Sequence, residues 1–212
     1  MYPVNLIITN QPCLVVGGGT VAFRKVCSLL DAGAVVTVIA PDLSPKLAEL
    51  QAAHRICWLQ KSYEAGDAAG FFLLICATTD PHINELAAAE GRSGQILVNV
   101  VDQPEKCNFT VPSVVHRGDL QFTISTNGKA PALSRWLRLH LEEEFDDSYG
   151  QWLDRLAAIR QDVKEALPDI RCRQEFWRTA LSDQVMTLVH EGNLKEAEAL
   201  MRHAISRFRT QS

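Results

Sequence analysis

The sequence predicts an α/β fold: a Rossmann-like parallel sheet first, then a small β-hairpin with a helix, then a helical C-terminal part. Three observations predict it. Short β-branched and apolar runs alternate with helical segments along the front of the chain, the pattern of a sheet covered by helices. Those runs lack polar alternation, as strands buried on both faces do. Glycine and proline are concentrated in the front, with 10 Gly and 7 Pro in residues 1–130 and two of each in residues 131–212, so the back is expected to be helical.

Each element follows in order. Val4–Ile8 and Cys13–Val16 are expected strands separated by the turn-like Thr9-Asn10-Gln11-Pro12. Thr20–Leu30 has helical spacing and stops at Asp31-Ala32-Gly33, where Gly33 suits a C-terminal cap. Ala34–Ile39 is a strand, and Ser44-Pro45 marks an N-cap and first-turn proline for a helix to about Ala53. Ile56–Leu59 is a weaker strand and Phe72–Ala77 a fully apolar one. Asp80-Pro81 repeats the cap signal for a helix to Gly91, and Ile96–Val101 is a further strand. Phe109–Val115 and Leu120–Ser125 then suit a hairpin joined at His116-Arg117-Gly118-Asp119. Asn127-Gly128 turns the chain into a helix from Pro131 to Phe145. Beyond Asp146, Trp152, Leu153, Leu156, Ile159, Val163 and Leu167 recur at helical spacing, with further helices over Glu175–Ala180, Asp183–His190 and Leu194–Arg207.

Composition narrows the function classes. The 212 residues are 47% hydrophobic and 22% charged, with net charge −4, a chain with a core and a mild acidity that argues against nucleic-acid or anionic-membrane binding. The longest apolar run, Phe71–Ala77, is far short of a membrane span, and the first basic residue is Arg24, so no charged leader is expected. Six scattered cysteines (13, 27, 57, 76, 107, 172) with no Cys-x-x-Cys pair are expected to be buried free thiols of a reducing cytoplasm. The histidines show no metal-binding spacing, so no metal site is expected.

The strongest motif is Leu14-Val-Val-Gly17-Gly18-Gly19-Thr20-Val21-Ala22, a G-x-G-x-x-A run between a strand and a helix. Gly17 permits the tight turn, Gly19 lets backbone approach a pyrophosphate, and Ala22 allows close helix packing. The N–H groups of the helix start would then hold phosphates. Asp42, after Pro41 and about 20 residues on, is the candidate for the ribose hydroxyls. No arginine immediately follows it to neutralise a 2′-phosphate, which favours NAD over NADP; a solvated loop residue is an almost equal alternative. Thr78 and Thr79 end one strand and Asn99, Val100 and Asp102 the next, at the edge where such sheets bind ligands. Asp102 could take a proton as hydride leaves a substrate, although an Asp-x-Pro turn is the plainer reading of that residue.

Tyr2-Pro-Val-Asn-Leu, Val16-Gly-Gly-Gly-Thr-Val-Ala-Phe-Arg24-Lys25, Ala77-Thr-Thr-Asp80, Asn99-Val-Val-Asp102 and Phe109-Thr-Val-Pro112-Ser113 occur in one order and spacing. Together they resemble the precorrin-2 dehydrogenase family, including the dehydrogenase/chelatase module of sirohaem synthases. The resemblance implies NAD-dependent oxidation of precorrin-2 to sirohydrochlorin, with Fe²⁺ insertion in some members. It also implies cofactor contacts from Thr20, Val21, Pro41 and Asp42, and Asp102 as the family's essential aspartate. It implies a homodimer, with residues 1–112 as the NAD-binding domain, 113–146 as the dimerisation segment and 147–212 as a helical domain that helps shape the tetrapyrrole site. Where some members carry a phosphorylated serine in a Ser-Ser-Gly-Gly turn, this chain has Ser125-Thr126-Asn127-Gly128, with Thr126 on that site. The chain ends at Ser212, so the fused methyltransferase of the trifunctional members is expected to be absent.

A polycarboxylate substrate needs local cations. Lys129 lies before the helix that Pro131 opens, Arg135 and Arg138 share a face of it, and His116 and Arg117 lie on the hairpin turn. Taken singly, each is better explained as part of a charged, solvated face. The rival readings are a bifunctional dehydrogenase and ferrochelatase, a non-enzymatic module that binds NAD or tetrapyrrole and regulates a partner, and another nucleotide-dependent reductase.

Overall fold

The apolar runs of the front form five parallel strands: β1 (Pro12–Val16), β2 (Val35–Ile39), β3 (Cys57–Leu59), β4 (Leu73–Cys76) and β5 (Leu97–Val100). Their spatial order is β3-β2-β1-β4-β5. Chain order therefore runs outward from β1 on one side and resumes at β4 on the other. The switch point lies between them, where the carboxyl ends of such sheets leave a crevice. The structure, a computed structural model, describes residues 1–211 and divides into two units, Met1–Val111 and Pro112–Ser212.

Three helices cover the sheet: α1 (Thr20–Asp31), α2 (Pro45–Ala52) and α3 (Pro81–Ser93). Cys13, Val15, Val36, Val38, Leu73 and Ile75 form one core with Ala22, Val26, Leu29 and Leu47 of α1 and α2. The alternate residues Leu14, Val16, Leu74, Cys76, Val98 and Val100 form the other core with Ala87 and Ala88 of α3. Double-sided burial is the reason the strands carry no polar period. Each buried branched aliphatic side chain contributes about 1.5–3 kcal/mol.

Val4–Ile8, expected as a strand, is not one. Both edges of β1 are taken, by β2 and β4, so this apolar run has no ladder to join. Leu6 and Ile8 instead line a small apolar groove with Leu29, Leu73, Ile75, Phe109 and Val111. The outer edge of β5 is closed by Asn108, whose Oδ1 accepts the Val98 N–H at 2.7 Å and whose Nδ2 donates to the Ile96 carbonyl at 2.8 Å.

The second unit opens with the antiparallel hairpin β6 (Ser113–Arg117) and β7 (Leu120–Ile124). The first hairpin strand starts later than expected because Phe109 runs along β5, its carbonyl accepting from Asn99 Nδ2 at 3.2 Å. The turn shrinks to Gly118-Asp119, with Gly118 at the positive φ (+59°) that tight hairpin loops demand. His116 and Arg117 therefore belong to the strand rather than to the turn. Then come α4 (Pro131–Glu144), α5 (Asp147–Ala166), α6 (Ile170–Ala180), α7 (Asp183–His190) and α8 (Leu194–Gln211). Trp152, Ile159, Val163, Phe176, Val189 and Met201 are among the residues of the core shared by α5 to α8. Helix α6 begins at an Asp169 cap, whose carboxylate accepts the Arg171 and Cys172 N–H groups, earlier than the expected Glu175. Its first turn exposes Ile170, so no buried position announced it.

Of the six cysteines only Cys13 and Cys76 are buried; Cys57 is exposed and the other three are half-buried. The expectation of buried thiols holds for those two alone, and burial pushes them up to about 11 and about 12. No helix among the described residues is long and apolar enough to cross a membrane.

Candidate functional site

The β1–α1 turn is built by three glycines with different tasks. Gly17 stands at φ +124°, and a Cβ there would meet the Ala77 carbonyl oxygen at 2.6 Å. A Cβ on Gly18 would lie 1.8 Å from the Asp42 carbonyl oxygen, so Gly18 lets the loop after β2 close over the turn. The Ser44 N–H donates to the Gly18 carbonyl at 2.8 Å and holds that closure. Gly19 has nothing within 4 Å of the same position. It is the N-cap of α1 with no side-chain cap bond, so the first N–H groups of the helix face open space with the positive end of its dipole behind them.

The cleft in front of this turn has a volume of about 570 Å³, within the range of small-molecule sites. Its walls include Gly17, Gly18 and Gly19, then Pro41, Asp42 and Ser44 after β2, and Thr78, Thr79 and Asp80 after β4. Trp58 Nε1 donates to the Ala40 carbonyl at 2.9 Å and Gln60 Nε2 to the Pro41 carbonyl at 3.3 Å, which pins the Asp42 loop. Thr78 Oγ1 accepts the Asp80 N–H at 3.1 Å, and Asn84 Nδ2 donates to the Thr78 carbonyl at 3.2 Å. Asp80 caps α3 as expected, accepting the His82 and Ile83 N–H groups. Ser44 stands at the expected N-cap of α2 but makes no cap bond. Its Oγ is buried in the cleft wall without a partner. An open glycine, unspent N–H groups and an orphaned hydroxyl converge on one crevice and fit the pyrophosphate and ribose of a dinucleotide.

Not every expected cofactor residue lines this cleft. Thr20 and Val21 offer α1 backbone beside it, whereas Asn99 and Val100 are turned to other uses. The Asn99 amide donates to the Phe109 carbonyl, and the Val100 N–H to Cys107 Sγ at 3.2 Å. Asp102 follows β5 in an exposed turn at φ +61°, outside the cleft wall. Lys25 of α1 is near enough to feel it. Burial and then Arg24 hold the Lys25 ammonium below the usual lysine value, while Asp102 and Cys107 act in the opposite sense.

In the second unit, Lys129 and Arg135 are exposed and form no ion pair among the described residues, while Arg138 Nη1 binds Glu142 Oε1 at 2.5 Å. His116 is exposed. Arg117 does not join a substrate patch: its Nε and Nη2 donate to the Phe145 and Glu142 carbonyls at 2.6 and 2.8 Å and close the end of α4. Ser125 Oγ accepts the Asn127 N–H at 3.3 Å. Thr126 Oγ1 accepts the Ala130 N–H at 3.2 Å and lies 3.2 Å from Ser134 Oγ, so the hydroxyl fastens the turn that leads into α4.

Sequence reasoning missed Ser62 and Tyr63, which also line the cleft. Tyr63 is buried and donates to Glu90 Oε2 at 2.5 Å. Desolvation and that carboxylate raise the phenol well above its usual value. It sits in the long β3–β4 connection, where no periodicity marks it.

Sheet, switch point and glycine turn define an NAD(P)-binding α/β protein. Residues 4–113 match a family model described as NAD(P)-binding, residues 117–144 the sirohaem biosynthesis protein central model, and residues 148–205 the sirohaem synthase dimerisation region. A siroheme synthase from Methylococcus capsulatus is 40% identical over 95% of this chain and 43% of its own length. One from Nitrosococcus oceani is 39% identical over 96% of this chain and 43% of its own. The chain thus spans under half the length of these relatives. The solved structure of SirC, precorrin-2 dehydrogenase, superposes with a TM-score of 0.76 at 28% identity, over 94% of this chain and all of that one. The chain belongs to the family of precorrin-2 dehydrogenase and the sirohaem synthase N-terminal module.

Proposed function

We propose that the protein catalyses NAD⁺-dependent oxidation of precorrin-2 to sirohydrochlorin in sirohaem biosynthesis. The observation that carries this reading is the crevice at the switch point, with Gly19 open beneath it, in a chain that follows the dehydrogenase family from end to end. The α1 N–H groups are assigned to the pyrophosphate and Asp42 to the ribose hydroxyls. Bound nicotinamide supplies a hydride acceptor. Asp102 is assigned the proton that leaves the substrate as the hydride does, so that each turnover yields sirohydrochlorin, NADH and one proton. NAD is preferred to NADP because the lysines flanking the Asp42 loop are engaged: Lys46 lies over the Phe23 ring at 5.4 Å, and Lys61 pairs with Glu64 and Asp67 at 3.0 and 2.9 Å.

The exposed cations Lys129 and Arg135 are proposed to meet substrate carboxylates, with Arg138 and His116 in support. Ser125 and Thr126, whose hydroxyls brace the turn before α4, are proposed to shape the substrate side. A homodimer is proposed through the hairpin and α4, because no residue of that amphipathic helix, its apolar stripe included, is buried within the protomer. The dimerisation model falls on residues 148–205, later in the chain than this segment. A cytoplasmic location agrees with the free thiols of Cys13, Cys27, Cys57, Cys76 and Cys107.

An anaerobic assay with precorrin-2 and NAD⁺ tests the reading. NADH formation above the spontaneous rate is expected, with Asp102→Asn lowering kcat about 10²-fold or more while NADH still binds. NADH formation no faster than without protein overturns it. Fe²⁺ added to the same mixture reports whether iron, as a substrate, is also inserted.

A further inference from the structure

We infer that Cys107 is the positioning residue for Asp102, its sulfur stitching together both ends of the turn that carries the carboxylate. The inference rests on the assignment of Asp102 as proton acceptor. Asp102 is the third residue of the Val100–Gln103 turn, which is closed by one backbone bond, Gln103 N–H to the Val100 carbonyl at 3.2 Å. Its φ of +61° lies in the left-handed region, uncommon for residues other than glycine though less so for aspartate, and the surroundings help to determine it.

The thiol supplies that determination. Cys107 Sγ accepts the Val100 N–H at 3.2 Å and lies 3.3 Å from the carbonyls of both Val100 and Gln103. The single S–H proton serves one of the two carbonyls at a time. Asn99 Nδ2 donates to the same sulfur at 3.6 Å. One atom thus contacts the first and last residues of the turn and the residue before it.

The sulfur is itself held in place from both sides. The 3₁₀ turn Pro104–Lys106 returns the chain, with Lys106 N–H on the Gln103 carbonyl and Cys107 N–H on the Pro104 carbonyl. Asn108 then bolts the segment to β5 through Val98 and Ile96, and its own N–H reaches the Val98 carbonyl at 3.1 Å. Alanine at 107 would leave the Val100 N–H unpaired and the turn held by backbone bonds alone, its own and those of Val101 N–H to the Cys76 carbonyl and Lys106 N–H to the Gln103 carbonyl. Serine would keep a donor and acceptor on a shorter bond.

The test compares Cys107→Ala, Cys107→Ser, Asp102→Asn and the Cys107→Ala/Asp102→Asn double variant by anaerobic NADH formation, NADH fluorescence titration and pH–rate profiles. For Cys107→Ala, kcat should fall about 10- to 100-fold, the loss expected of a misplaced catalytic group. Its NADH affinity should stay within about twofold of the parent, and its acidic limb should be displaced. Serine should recover part of the loss, and the double variant should be no slower than Asp102→Asn alone. If Cys107→Ala keeps the parent's kcat while Asp102→Asn does not, the positioning role is overturned and Asp102 stands. Additive losses in the double variant overturn it as well. Full activity of Asp102→Asn instead removes the underlying assignment. Should Cys107→Ala fold poorly, Cys107→Val, which fills the space without donor or acceptor, decides in its place: a fall in kcat with unchanged NADH affinity supports the role, and the parent's kcat overturns it.

Discussion

Two neighbouring glycines, Gly18 and Gly19, separate folding from ligand binding at the resolution of one methyl group. At Gly18 a Cβ would collide with the Asp42 carbonyl oxygen at 1.8 Å, a backbone atom with no freedom to move aside. Gly18→Ala should therefore destabilise the first unit by about 1–3 kcal/mol, read as a lower denaturant midpoint. At Gly19 the backbone is at φ −87° and the added methyl meets nothing within 4 Å. Gly19→Ala should cost no more than about 1 kcal/mol, because alanine caps a helix less well than glycine but leaves a less flexible unfolded chain, while weakening NADH binding about tenfold or more, because the methyl occupies the approach of the pyrophosphate. Fluorescence titration beside thermal melting checks both, and unchanged NADH affinity in Gly19→Ala would move the dinucleotide away from this turn. The glycines, Thr78 and Thr79 were legible in the sequence because strand–turn–helix order fixes where they sit. Cys107, Ser62 and Tyr63 were not, since loops that double back bring them to their places.

At the level of elements, sequence was most informative where burial has a period. Asp183–His190 is the helix its spacing foretells, bounded by a Ser182 cap and buried through Val185 and Val189. It misled where an apolar run had no free partner, as at Val4–Ile8, and where a helix began without a buried residue, as at Ile170. The spacing of α3 from the sheet was also invisible, although it positions the Thr78–Asp80 wall of the cleft. Ala87, Ala88 and Gly91 are buried on that face, and a Cβ on Gly91 would come within 2.0 Å of Val98 Cγ2. Gly91→Ala gains up to about 1 kcal/mol in helix propensity and meets an overpacking cost of about 1–3 kcal/mol. The net effect should be a lower urea midpoint with an unchanged slope. A rise in the midpoint would mean that β5 yields more readily than its clamped edge suggests.

For the whole molecule, the net charge of −4 says little about a polyanionic substrate, since Lys129 and Arg135 are local, exposed cations. The distribution of apolar surface says more about assembly. Helix α4 exposes Leu133, Trp136 and Leu139 at 49%, 59% and 43%, with Trp136 stacked on His140. A stripe of that size is rarely left to solvent and marks an association surface. Helices α5 to α8, by contrast, fill their own core and expose little beyond Ile170. Trp136 is the aromatic anchor expected to dominate a dimer contact, so Trp136→Glu should weaken dimerisation about 30-fold or more. Sedimentation or light scattering should then report a species near 23.5 kDa at concentrations where the parent is twice that mass. Ile170→Glu, on the helical bundle, should leave the dimer intact. The reverse result, a dimer that survives Trp136→Glu and dissociates with Ile170→Glu, would place the contact in residues 148–205 and free the α4 face for the substrate.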